Sequence, residues 1–137
     1  MECLFCKIIQ GKLPCKKIYE DDDILAFLDI YPVNEGHVLV MTKEHFQSLL
    51  ELPADRWSKL AMVIQRVASA VKEAYSSRGF NILLNDGGVA GQAIPHIHFH
   101  VIPRVYGDGV RVPSGHRPYG ESKIQQVRDK IVAKLRV

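Results

Sequence analysis

Apolar positions along the chain follow two different periods, and the change from one to the other marks out the elements. Ile24-Leu25-Ala26-Phe27-Leu28-Asp29 is an almost unbroken apolar run between the acidic turn Glu20–Asp23 and Pro32, which predicts a buried strand. Asn34-Glu35-Gly36 turns the chain into His37-Val-Leu-Val-Met-Thr42, a second strand that pairs with the first as a hairpin. Glu44 to Leu50 reads as a short helix. From about Asp55, the residues Trp57, Leu60, Ala61, Ile64, Val67, Ala68, Val71, Ala74 and Tyr75 recur at steps of three or four. That spacing predicts the longest helix, with Gly79 as its C-terminal stop. Phe80–Leu84 is a third strand, Asn85–Gln92 a loop and His96–Ile102 a fourth strand, while Ile124, Val127, Ile131 and Leu135 form the apolar side of a C-terminal helix. Short adjacent strands with one long helix predict an α+β fold built on an antiparallel sheet of about five strands. No repeat, low-complexity tract or linker divides the chain, so one domain is expected over residues 1–137, with a core at 3–104 and a loop and helix at 105–137.

Composition narrows the partners. The 18 Lys and Arg against 15 Asp and Glu leave a net charge of +3. These charges are spread out, without the basic block that would point to nucleic acid or a membrane surface. The longest stretch free of Lys, Arg, Asp and Glu, Gly87–Pro103, carries three histidines, Gln92 and Pro95, so it is no membrane span. Leu4-Phe5 is followed at once by Cys6-Lys7, which is not the apolar stretch of a signal peptide, and a cytoplasmic protein is expected. Three cysteines in such a chain do not make a disulfide framework. Cys3-x-x-Cys6 reads as a metal-binding, structural or redox pair, and Cys15 as a small apolar residue.

Six of the 137 residues are histidine, and three of them alternate with apolar residues in His96-Ile97-His98-Phe99-His100-Val101-Ile102. As a strand, this segment puts three imidazoles on one face and Ile97, Phe99 and Val101 on the other. Solvated faces normally carry Lys, Glu or Thr, so a purely structural role is the weaker reading. Two chemical readings remain. Neighbouring imidazoles, about 6.6 Å apart along a strand, can share one metal ion, but the outer two, about 13 Å apart, cannot. Alternatively one imidazole attacks phosphorus while the others donate hydrogen bonds to the oxygens that gain charge.

This histidine string, with Gly91-Gln92 and Asn85 before it, resembles the histidine triad family of nucleotidyl hydrolases and transferases. Leu4-Phe5-Cys6-Lys7-Ile8-Ile9 with Gly11 and Pro14, Ala26-Phe27-Leu28-Asp29-Ile30, Gly36-His37-Val38-Leu39-Val40 and Lys43-Glu44-His45 are similar to the family's blocks in order and spacing. The resemblance implies that His98 attacks the α-phosphorus of a purine nucleotide conjugate, a dinucleoside polyphosphate or a nucleoside phosphoramidate, to give a short-lived nucleotidyl-histidine that water hydrolyses. It places His37 and His100 on the phosphate oxygens beside His96, with Asn85, Gln92 and the loop Gly91–Ala93 adding neutral donors. Phe5, Ile8, Phe27 and Ile30 surround the base, and Asp29 holds the ribose. Ala93 stands where the family often carries Ser or Thr able to assist the leaving group. In a subset of the family, zinc is held by a set corresponding here to Cys3, Cys6, His45 and His96, which implies a closed structural ion. A homodimer is implied as well. Against this stand two rival expectations, a non-catalytic nucleotide-binding regulator on the same fold and a metal-dependent hydrolase working through His96 and His98. The stretch Tyr106–Gly120 is either a cover over the substrate or a connection to the last helix, with His116 solvated.

Overall fold

A computed structural model describes residues 2–111 and 117–136. The elements run α1 (Leu4–Ile9), β1 (Lys17–Glu20), β2 (Ile24–Leu28), β3 (Val38–Thr42), α2 (Ala54–Ala74), β4 (Gly79–Leu84), β5 (His98–Arg104) and α3 (Lys123–Val132). The strands form one five-stranded sheet in the order β1-β2-β3-β5-β4, and every neighbouring pair is antiparallel. The α+β class expected from the pattern is the one observed.

Two apolar layers sandwich the sheet. On one face, Ile24, Ala26, Val38, Val40, Ile97, Phe99 and Val101 pack under Leu60, Val63, Ile64, Val67, Ala68 and Val71 of α2. On the other, Leu25, Phe27, Leu39 and Met41 pack against Cys3 and Phe5 at the N-terminus. Strands β2 and β3 are covered on both faces, which is why they read as continuous apolar runs while β5 alternates.

The differences from the expected elements have local causes. Helix α2 stops before Gly79: Tyr75 caps it, and Ser76 takes the left-handed conformation at φ 47°, leaving Gly79 to open β4. Glu44–Leu50 is not a helix. Its backbone is spent on other segments, with Phe46 C=O accepting the Ile97 N–H at 2.7 Å and Asp86 Oδ2 accepting from Ser48 Oγ and the Leu49 N–H, so only a 3-10 turn at Leu49–Glu51 remains. Strand β5 begins at His98 rather than His96, because the His96 and Ile97 N–H groups bond Ile94 and Phe46 instead of a strand. Helix α1 spans six residues and β1 four, too short for either period to show. Helix α3 buries no residue. His116 lies outside the described residues.

Candidate functional site

Alternation in β5 sends Phe99 and Val101 towards α2, and His98 and His100 to the opposite face. There, pairing in register makes two cross-strand rows, Leu25–Met41–His98 and Phe27–Leu39–His100. His96 precedes the strand and turns its ring towards the N-terminal segment, so the face carries two clusters rather than a line of three equivalent imidazoles.

The first cluster joins the N-terminus to the start of β5. Cys3 and Cys6 sit at the beginning of α1, where the Cys6 N–H donates to Cys3 Sγ at 3.3 Å. His96 Nδ1 is 3.5 Å from Cys3 Sγ, 3.6 Å from Cys6 Sγ and 3.2 Å from His45 Nδ1, and His45 Nδ1 is 3.3 Å from Cys6 Sγ. A tetrahedral ion with ligands at about 2.0–2.3 Å sets its donor atoms about 3.3–3.8 Å apart, which is the spacing found. Orientation agrees with distance. His96 Nε2 lies 2.7 Å from the Thr42 carbonyl; it must donate there, so the lone pair is on Nδ1 and points into the cluster. Burial, a hydrogen bond to Cys3 and the charge of Cys3 push the Cys6 thiol up to about 11, and burial lowers His96. A cation bound here therefore displaces thiol protons and meets a neutral imidazole. These four side chains can hold a metal ion.

The second cluster has the opposite proton arrangement. The Val33 N–H donates to His37 Nδ1 at 3.0 Å, so the ring proton is on Nε2. That nitrogen is 2.9 Å from His100 Nδ1, a contact that requires one proton between them, donated by His37. His100 then carries its own proton on Nε2. His98 Nδ1, 2.7 Å from the His96 carbonyl, must donate to it, which leaves the lone pair on Nε2. Burial lowers all three: His37, where the Asp29 charge opposes it; His98, where the bond to His96 and Asp29 oppose it; and His100, down to about 4, with His98 and His37 adding to the effect and Asp29 opposing it. The rings are neutral at neutral pH, each with one proton in an assigned place.

Asp29, His37 and His100 also converge within metal-binding distance, but the arrangement does not suit an ion. With the Val33 N–H on Nδ1, His37 Nε2 keeps its proton and has no lone pair to offer. His98 and His96 do not converge on a common point either, since His96 Nδ1 faces the cysteines while His98 Nδ1 bonds backbone. The geometry gives no support to the metal-dependent reading through that pair.

His98 and His100 line a cavity of about 470 Å³ whose walls also include Phe5, Ile8, Phe27, Ile30, Asp29 and Ala93. Phe5 packs edge-on against Phe27 at 5.7 Å and against His98 at 4.9 Å between ring centres. Asp29 Oδ1 accepts the Tyr31 N–H at 2.9 Å, and Oδ2 lies 3.6 Å from His37 Nε2. Leu4, Pro14, Cys15, Leu28, Tyr31, Leu39 and Ile94 complete the wall. None of these was expected at the site. Leu39 was traceable through the hairpin register, which sets it between Phe27 and His100; Cys15 and Tyr31 left no signal in the pattern.

The loop after β4 is tighter than a phosphate cradle made from its whole backbone would be. At the stretch Gly91–Ala93, Gly91 N–H bonds Gly88 C=O and Gln92 N–H bonds Gly87 C=O, so of these three N–H groups that of Ala93 alone has no partner among the described residues. The Gln92 amide is also engaged: Oε1 accepts the Gly87 N–H, and Nε2 donates to the Gln47 and Ile94 carbonyls. Asn85 lies beside Gly91, whose φ is +95°, and its side chain bonds no other described residue.

A HIT domain model matches residues 10–106. Over 139 aligned residues, covering 99% of this chain and all of the relative, the chain is 37% identical to an adenosine 5′-monophosphoramidase of Schizosaccharomyces pombe. It is 43% identical over 103 residues, 75% of this chain and 52% of the relative, to an adenylylsulfatase of Arabidopsis thaliana. Among solved structures, a HIT family member from Bacillus subtilis superposes with a TM-score of 0.92 at 35% identity, covering 100% of this chain and 99% of that one. A zinc-bound histidine triad family protein from Mycobacterium smegmatis superposes with a TM-score of 0.75 at 38% identity, covering 98% and 95%.

Proposed function

The chain belongs to the HIT domain family, and from that premise we propose that it is a nucleotidyl hydrolase or transferase acting at the α-phosphorus of purine nucleotide conjugates through His98. The observation that carries this reading is the orientation of His98. Its Nδ1–H is held by the His96 carbonyl, its Nε2 bonds no described residue, and the ring lines a mainly apolar cavity. Attack by Nε2 forms an N–P bond, and the bond from phosphorus to the leaving group, P–O in a dinucleoside polyphosphate or P–N in a phosphoramidate, breaks with its electron pair going to the leaving group. The ring becomes cationic, and the His96 carbonyl stabilises that charge through the proton still on Nδ1. His100 Nε2–H donates to the phosphoryl oxygens, backed by His37. Asn85 and the Ala93 N–H are further neutral donors, while Gln92, already bonded to backbone, shapes Gly91 and its loop. Phe5, Ile8, Phe27 and Ile30 hold the base, and the remaining lone pairs of Asp29 accept from the ribose hydroxyls.

The same proton inventory separates the two substrate classes. A neutral imidazole N–H hydrogen-bonds to an oxygen but does not give up its proton near neutral pH, and Ala93 supplies no hydroxyl. Leaving groups that depart as stable anions, as in dinucleoside polyphosphates, are therefore favoured over amines, which need a proton. A positioned general acid contributes about 10²–10⁴-fold, so phosphoramidates are expected to be slower by that order. A panel of both classes, with the nucleotidylated residue identified by mass spectrometry, tests the reading. Nucleotide binding without any nucleotidyl-His98 would replace the enzyme by a binding protein.

We assign one structural zinc to Cys3, Cys6, His45 and His96. With four protein donors its coordination sphere would be closed, so these residues would tie the N-terminal segment to the start of β5 through the ion, which would not activate water. Metal analysis and thermal unfolding with and without chelator test this. Three unpaired cysteines suit a reducing compartment such as the cytoplasm, and no helix among the described residues is long and apolar enough to cross a membrane. A homodimer joined along β4 is supported by that strand's open edge and by its exposed Phe80 and Ile82 beside Met62; light scattering reads the mass.

A further inference from the structure

His37 Nδ1 accepts one hydrogen bond, from the Val33 N–H at 3.0 Å, which sets the ring proton on Nε2 together with the Asp29 carboxylate 3.6 Å from that nitrogen, and Val33 belongs to a loop rather than to a strand. The loop closes on itself where His37 N–H donates to Asn34 C=O and Asp29 N–H to His37 C=O. Its anchor comes from beyond β5. Asn34 Nδ2 donates to Pro103 C=O and to Asp108 Oδ2, both at 2.9 Å. The Asp108 carboxylate, only 8% exposed, also accepts from Arg104 Nε at 2.7 Å, Arg104 Nη2 at 3.0 Å and the Val110 N–H at 3.0 Å. Arg104 Nη1 in turn donates to Asn81 Oδ1 of β4 at 2.7 Å. One buried carboxylate thus ties the end of β5 and, through Arg104, the edge strand to the turn that carries His37. It lies past residue 106, where the family match ends.

We propose that Asp108 and Asn34 are positioning residues that hold the Val33 N–H on His37 and so impose the proton order of the His37–His100 pair. The consequence for the site follows from chemistry. Without the Val33 N–H, either His37 nitrogen can carry the proton. If Nδ1 takes it, Nε2 turns a lone pair towards His100 Nδ1, the proton on His100 must move to Nδ1, and His100 then shows a lone pair where a phosphoryl oxygen needs a donor. The catalytic part of this inference rests on the function proposed above, whereas the tautomer itself can be read without any substrate.

The test uses the full chain with ¹⁵N-labelled histidine. Two-bond ¹H–¹⁵N correlations identify which ring nitrogen carries the proton, and a His37→Gln spectrum assigns the signals. Wild type is expected to show His37 protonated on Nε2. Asn34→Ala, which removes both anchoring bonds, is expected to shift His37 towards the Nδ1–H form or an averaged signal. It should also slow nucleotidyl-His98 formation about 10–100-fold with a much smaller change in KM. Asn34→Asp keeps the size, loses the amide donor and sets a second carboxylate against Asp108; it should behave likewise, and it decides the matter if the alanine variant does not fold. An Nε2–H form retained in these variants, at an unchanged rate, overturns the inference. Wild type that never forms a nucleotidyl-protein overturns the functional reading instead, and the tautomer comparison still stands.

Discussion

Two histidine pairs built from the same side chain are prepared for opposite tasks, and the difference lies in what touches the second ring nitrogen. His96 meets a carbonyl, Thr42 C=O, so its proton faces away and Nδ1 offers a lone pair to Cys3, Cys6 and His45. His37 meets an N–H, that of Val33, so its proton faces inward and its cluster is arranged to donate hydrogen bonds rather than to bind a cation. His98 stands between them: held by a carbonyl like His96, it presents its lone pair not to cysteines but to the cavity. Proximity of donor atoms alone would have counted both clusters as metal sites. The backbone group behind each ring is what separates them.

The comparison can be broken most forcefully at His98. His98→Ala should lower the rate of nucleotidyl transfer by roughly 10⁵–10⁶-fold while metal content stays unchanged; a variant that keeps full activity with the polyphosphate panel refutes the nucleophile. Next in size is the metal cluster. An ion present at about 1,000 times its Kd adds about 4 kcal/mol to stability, so chelation, or Cys3→Ser with Cys6→Ser, should lower Tm by an amount the double variant no longer shows on chelation. Gly36→Ala strikes only the other cluster. A β-carbon there would lie 2.4 Å from the Tyr75 ring, at a φ of +94°, so a loss of about 1–3 kcal/mol and a displaced His37 are expected with the metal retained.

Acid gives the gentlest separation. Burial holds the folded pKa of His37, His98 and His100 below the usual 6.5, His100 at about 4. Between those values the unfolded chain binds protons that the folded one refuses. Their contribution to stability is therefore complete above about pH 6.5 and declines as pH falls towards 4. Tm measured from pH 7.5 to 4.5 should drop along this window, and His100→Gln should flatten the slope. An unchanged slope would show that His100 is not the group responsible.

Much of the fold was legible because its elements repeat. The steps of three and four from Trp57 to Val71 and the alternation from His98 to Val101 each reflect a surface buried on one side. Where length or tertiary demand takes over, the pattern fails. The six residues of α1 are shorter than two helical turns, the Glu44–Leu50 backbone is drawn off by Ile97 and Asp86, and Ser76 turns the chain where Gly79 looked the better stop. The residues gathered at the cavity were mostly named by family likeness, which carries no register. Hence neither Leu39 nor Tyr31 stands out along the chain although both line the cavity, and the amide of Gln92, which the likeness directs to the phosphate, is bonded to Gly87, Gln47 and Ile94.

The sequence by itself determined that Phe99 and Val101 face one way and His98 and His100 the other, because side-chain direction follows from backbone period. It therefore separated Ile97, Phe99 and Val101 from the imidazoles and made two clusters of donors conceivable. Only the tertiary structure decided which nitrogen of each ring holds the proton. That choice belongs to Thr42 C=O, Val33 N–H and His96 C=O, backbone groups that every sequence has and whose position no side-chain pattern records.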